Sequence, residues 1–355
     1  MNNTYFNDKI DALGQWHYTA IHVAKGTKPY YQLLTGGAQR RFMLSGQDYC
    51  YYAGTISCDY YETYLLYNPQ KPIQYSPISP ISSADVEHYK AIGERGAVDY
   101  WRYWANFFAK ALIDTPYGML SAGEWRIVPV LPIKPQKSTP HHAMTSSGHD
   151  YWKAYGKMGK YYPLSSMAVS YYDLDKTLLD MAGVQEYNRE RYRNLLFYAG
   201  HLPHVDDGRV KWWRKKIQEQ SCPPLLVWWQ SWLQGYFLLD GYARLQAYLL
   251  ENVAPDVLAI APVQTQYYPV PEKTRSQILA SLDNTLAKAP KGQGLSQQHI
   301  NELLIRAYDD GESIDDRGTG KMIHNLDTLW DKTVQDFAKD SGAAQGELGF
   351  LYGEM

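Results

Sequence analysis

Between Leu225 and Arg244 the chain leaves little conformational choice. Leu225-Leu226-Val227-Trp228-Trp229 is an unbroken apolar run, short and rich in aromatic side chains, as a strand buried on both faces requires. Residues 230–235 read as a turn, and Tyr236-Phe237-Leu238-Leu239 as a second strand. That strand passes directly into Asp240-Gly241-Tyr242-Ala243-Arg244, which opens a helix continuing through residues 245–250. Asn252 suits a left-handed helix end, and Val257-Leu258-Ala259-Ile260 returns as another strand. Strands alternating with helices predict an α/β (α+β) fold.

A helix is expected just upstream. Asp206 or Asp207 can cap it, and Val210, Trp213 and Ile217 share one apolar face. Arg209, Lys211, Arg214, Lys215 and Lys216 make the rest of it basic, and Cys222-Pro223-Pro224 ends it. The passage from strand through Gly241 to helix has the makings of an anion site. The first helical N–H groups lack intrahelical partners, and the helix dipole favours negative charge there. Gly241 admits close approach to the backbone, and Arg244 reaches back over the same mouth because helical side chains lean towards the N-terminus. The same residues also describe a capped helix with Arg244 salt-bridged to Asp240, so both readings stand at this level.

The order of helix, PPLLVWW strand, turn, YFLLDGYARLQAYL and returning strand resembles the superfamily of ParB-type partition proteins and sulfiredoxins. The resemblance covers roughly residues 170–265 and rests chiefly on Leu238 to Ala247. It implies a turn that binds nucleotide phosphates, with Gly241 and Arg244 as contacts and Asp240 as a polar or metal-facing neighbour. Asp240, Gly241, Tyr242 and Arg244 are thus the candidate nucleotide- or anion-binding residues, with ATP or CTP and Mg2+ as the implied cofactors. The superfamily's catalytic side chains are not in place. No Cys precedes the junction as in sulfiredoxins, and Tyr242 and Ala243 stand where kinase-like members carry two His. Gly93-Glu94-Arg95-Gly96 matches the partition-protein motif in letters only, because it lies in an expected helix with no strand before it.

The rest of the chain divides by pattern. Residues 1–135 are expected to form a β-rich domain, with strands at 16–23 and within 47–68, one helix over 84–113, and a strand at 125–131. Residues 136–160 read as a linker or surface loop, 161–268 as the ParB/sulfiredoxin-like domain, and 269–355 as a helical extension. That extension carries helical periodicity at 274–289, 296–308 and 321–339. Asp309, Asp310, Glu312, Asp315 and Asp316 are read as a solvated acidic loop.

Other motifs carry less. Gly318-Thr319-Gly320-Lys321 fails as a phosphate loop, because Asp315 takes the first Gly position and Met322 replaces the Ser or Thr. His201 and His204 lack a matching second pair, so no metal site is expected. The three cysteines form no CxxC and no disulfide framework, which predicts a reducing, cytoplasmic setting, and the first ten residues lack the apolar core of a secretory signal. The 35 Lys and Arg nearly cancel the 37 Asp and Glu, so a general attraction to nucleic acid is not expected, and the basic helix around Lys211 to Lys216 is read as amphipathic and solvated. No apolar run is long enough to cross a membrane. With 32 Tyr and 11 Trp against 8 Phe, the chain is rich in side chains that suit either half-buried positions or a binding surface. Together these features point to a non-enzymatic protein-binding protein without a cofactor, of the immunity or antitoxin kind. The alternative is a nucleotide-dependent phosphotransferase or NTPase.

Overall fold

The computed structural model describes residues 4–11, 14–36, 41–45, 50–56, 62–66, 76–90, 94–116, 118–133, 168–170, 184–188, 195–198, 202–230, 235–268, 270–288, 296, 300–301, 304, 311–316, 319–341 and 351. The expected linker (136–160), most of the second helix of the extension (296–308), Cys58 and His201 lie outside them.

The fold is α/β. Its first strands are β1 (Tyr5–Ile10), β2 (Trp16–Val23), β3 (Gln32–Gly36), β4 (Arg41–Ser45), β5 (Cys50–Ile56) and β6 (Glu62–Leu66). Two helices follow, α1 (Ser83–Lys90) and α2 (Val98–Asp114), where the sequence suggests one. Between them Gly96 takes φ +83°, a conformation that glycine adopts without the steric cost of a Cβ. Then come β7 (Gly123–Ile133), β8 (Ala168–Ser170), β9 (Val184–Asn188), β10 (Leu195–Phe197), α3 (Gly208–Gln218), β11 (Leu225–Gln230), β12 (Gly235–Asp240), α4 (Tyr242–Glu251) and β13 (Val257–Tyr268). The chain ends with α5 (Glu272–Lys288), β14 (Gly311–Asp316), β15 (Lys321–Met322) and α6 (Leu326–Ser341). The acidic segment therefore contributes a strand rather than a loop.

Six of these strands close on themselves. β7, β8, β10, β12, β11 and β13 pair in that order, and β13 pairs back onto β7 from Val257↔Val130 to Val263↔Glu124. β2 joins the other edge of β7 along 123–127, and β1 lies outside β2. Pro129 falls after the β2-paired stretch and before the β8-paired one, where a missing N–H costs that edge no ladder bond. A second sheet has the order β15-β3-β4-β5-β6-β9.

The compact units do not follow the expected divisions at 135 and 161. One unit holds residues 1–263 and 316–355, and the other holds 264–315. β7, from the expected N-terminal domain, lies in the same closed cycle as β11 and β12, and β9 pairs with β6. A single buried core accordingly runs from Trp16 to Ala261. Pairings this distant in sequence leave no local trace in composition. In the second unit α5 confirms the helix expected near 274–289 and buries Leu282.

β4 shows the period-two logic of a strand covered on both faces. Phe42 and Leu44 join the main core, while Met43 joins a smaller one with Leu66, Leu326, Trp330, Val334, Phe337 and Leu351. α6 is thus the lid of the second sheet. Trp330 is fully buried and its indole N–H donates to the Leu351 carbonyl at 2.9 Å. Arg41 binds Asp327 at 2.6 Å and lies 5.4 Å from the Trp330 ring. Lys321 and Met322 add a two-residue edge beside Leu34 and Thr35, so the lysine of the Gly-Thr-Gly-Lys motif lies in a strand. Trp330→Ala is expected to destabilise the chain by about 3–5 kcal/mol, since the cavity left in the smaller core adds to the lost burial. Urea unfolding followed by tryptophan fluorescence measures it.

Candidate functional site

The junction forms as its sequence suggests. β12 ends at Asp240, Gly241 caps the helix in the left-handed region at φ +116°, and α4 begins at Tyr242. A Cβ at Gly241 would stand 2.6 Å from Leu225 Cδ2 and 3.1 Å from Arg244 Nη2, so the absent side chain is what lets the guanidinium lie against the backbone. At the other end Asn252 takes φ +52° and its N–H bonds to the last turn, as expected of a left-handed cap.

α3 supplies the opposing wall. Asp207, not Asp206, caps it, with Oδ1 accepting from the N–H of Arg209 at 2.7 Å and of Val210 at 3.3 Å. Val210, Trp213 and Ile217 are buried as the periodicity implies, and α3 packs on α4. This brings together five side chains from three separate stretches of the chain. Arg244 donates to Asp240 through Nη2, and its guanidinium carbon lies 5.2 Å from the Trp213 ring centre. Arg209 lies 5.1 Å from the same ring and donates to the Ile81 carbonyl. Ser76 Oγ stands 3.4 Å from Asp240 Oδ1. Arg244 is 2% exposed, and Tyr242 is buried edge-on to Tyr198 at 6.3 Å. Burial, then the like charge of Arg244, pulls the Arg209 guanidinium below its usual range, against the opposing pull of Asp240 and Asp207.

Of the sequence candidates, Asp240, Gly241, Tyr242 and Arg244 meet at one mouth. Arg209, Trp213, Ser76 and Ile81 belong there too and were not anticipated. The four-residue spacing of Arg209 and Trp213 hints that they share a face, but no local signal marks Ser76 or Ile81. The closed ion pair is the capped-helix form of the junction. Its guanidinium is matched by a carboxylate of the same chain, inside the protein, where charge must be paired.

The basic residues of α3 are similarly engaged. Lys211 pairs with Asp206 at 3.0 Å and Arg214 with Glu251 at 2.6 Å. Lys216 bridges Glu87 at 3.1 Å and Glu219 at 2.9 Å, and Lys90 reaches the same two acids, which fastens α1 along α3. Beyond this ring Arg95 binds Asp256, and the buried Tyr100 hydroxyl donates to Asp256 at 2.8 Å and to the Cys222 carbonyl at 3.0 Å. The Gly-Glu-Arg-Gly arginine is thus a clamp between α2 and the start of β13. Burial pushes the Cys222 thiol up to about 12, which disfavours its thiolate at neutral pH. His204 is 76% exposed and lies 3.7 Å from Asp206, and no metal-binding cluster occurs among the described residues.

Comparison with family models, curated proteins and solved structures gave no match.

Two outcomes test this geometry. Hydrogen bonds from Lys216 and Lys90 hold the Glu219 carboxyl down to about 2. A carboxylate pKa lowered by folding stabilises above its unfolded value near 4.5 and loses that contribution as pH falls towards 2. Carboxyl-carbon NMR should place the Glu219 midpoint near 2 in the native chain and higher in Lys216→Gln. Separately, Arg244→Gln leaves Asp240 without its cation and is expected to cost about 3–5 kcal/mol, as breaking buried pairs does. Chemical denaturation checks it, and a cost near zero would mean that the pair is solvated.

Proposed function

We propose that this chain is a non-enzymatic binding protein that acts on a protein partner, of the immunity or antitoxin kind, and uses an α/β scaffold whose nucleotide-type junction has become a structural lock. The observation that carries this reading is the Arg244–Asp240 pair at the mouth of α4, with Arg244 2% exposed. A phosphate would have to replace an ion pair already made, in a site without the superfamily's catalytic side chains. The nearly balanced charge and the excess of Tyr and Trp suit a protein partner better than nucleic acid. No helix among the described residues is long and apolar enough to cross a membrane, which is compatible with the proposed cytoplasmic setting.

Thermal unfolding with ATP, ADP, CTP and GTP, with and without Mg2+, separates this reading from a nucleotide-dependent enzyme. The melting temperature is expected to stay unchanged with all four. A shift that saturates with nucleotide and disappears in Arg244→Gln would replace the binding-protein reading with the phosphotransferase or NTPase one.

A further inference from the structure

We propose that residues 76–82 are an internal gate over the mouth of α4. They and Asp240 keep the two guanidiniums there on acceptors of the chain itself, and a small oxyanion reaches Arg244 only when this segment is displaced. The inference rests on the reading of the junction as closed and adds what closes it.

Two observations converge. Arg244 is 2% exposed, yet its Nε has no hydrogen-bond partner among the described residues. That N–H lies 3.2 Å from where a Cβ of Gly241 would stand, so its unused donor sits beside the helix cap. The second observation is the source of the acceptors. Arg244 uses the Asp240 carboxylate, Arg209 uses the Ile81 carbonyl, and Ser76 Oγ of the same segment lies against the other Asp240 oxygen. A carboxylate and a carbonyl thus occupy positions around two guanidiniums where an oxyanion would find its donors.

The segment is built to be separable. Pro77 and Pro80 lack N–H groups, and Ser76 Oγ satisfies the Ile78 N–H locally at 3.4 Å. Among the described residues, the contacts to Asp240 and Arg209 are the two hydrogen bonds that join 76–81 to the rest of the fold, while Ser82, the end about which the segment would swing, stays bonded to Asp85 and Val86 of α1. What holds it otherwise is apolar: Ile78 is 5% and Ile81 1% exposed. Few long-range hydrogen bonds and two apolar anchors characterise elements that open below the global unfolding free energy.

Anion rescue in the full chain tests the gate. Asp240→Asn leaves the buried guanidinium without its carboxylate, and Ile81→Ala loosens the anchor. Melting temperatures are compared with and without sulfate, with the wild-type response as the baseline for sulfate's general stabilisation. Asp240→Asn alone should gain no more than wild type. The double variant Asp240→Asn with Ile81→Ala should gain several degrees more, and adding Arg244→Gln should abolish that gain. Equal rescue of Asp240→Asn with the segment intact, or none in the double variant, overturns the gate. Should the double variant fail to fold, amide exchange at Ile81 in Asp240→Asn gives the second readout. Faster exchange with sulfate supports the gate, and unchanged protection overturns it. A nucleotide-induced shift in the wild-type chain would instead remove the closed-junction reading itself.

Discussion

A guanidinium removed from water must find a negative partner nearby, and much of the organisation around α4 follows from meeting that demand for Arg244. Asp240 supplies the charge from the last position of β12, and Gly241 supplies the space by having no side chain. Trp213 covers the guanidinium with an aromatic ring, which pins α3 against α4. The residues that make this junction look like a phosphate site are those that make it a cross-link. The difference lies in one carboxylate whose reach matches that of the arginine.

The surrounding architecture holds those elements in register. β12 lies between β10 and β11, and the closed cycle returns through β13 to β7. The strand that carries Asp240 is therefore flanked on both edges and cannot slide without breaking both ladders. α1 and α2 fasten the other side, through Glu87 and Lys90 on α3 and through Arg95 and Tyr100 on Asp256. These bonds join residues more than 100 positions apart, which is why a chain with a plausible linker at 136–160 forms one continuous core across it.

Local features were largely legible. The strand pair 225–239, the caps at Asp207 and Asn252, the buried face of Val210, Trp213 and Ile217, and the strand at 16–23 each follow from the properties of residues within one or two turns. What misled was also local. Aromatic residues at helical spacing extend across 84–113, but the stretch holds two helices, with Gly96 between them at φ +83°, a conformation that glycine adopts without steric cost. The acids of 309–316 suggest solvated loop, yet Gly311–Asp316 is an extended strand. The candidate site was half visible. Asp240, Gly241, Tyr242 and Arg244 are contiguous, whereas Arg209, Trp213, Ser76 and Ile81 reach it from elsewhere.

By itself the sequence determined a β strand running through glycine into a helix, with an arginine one turn in and an aspartate just before it. Backbone sterics at Gly241 and unpaired N–H groups at a helix start require only near neighbours. Whether that arginine faces an open mouth or an internal carboxylate was decided by tertiary structure. The outcome depends on α3 packing over it, on residues 76–82 lying across it, and on burial that makes an unpaired charge too costly to keep.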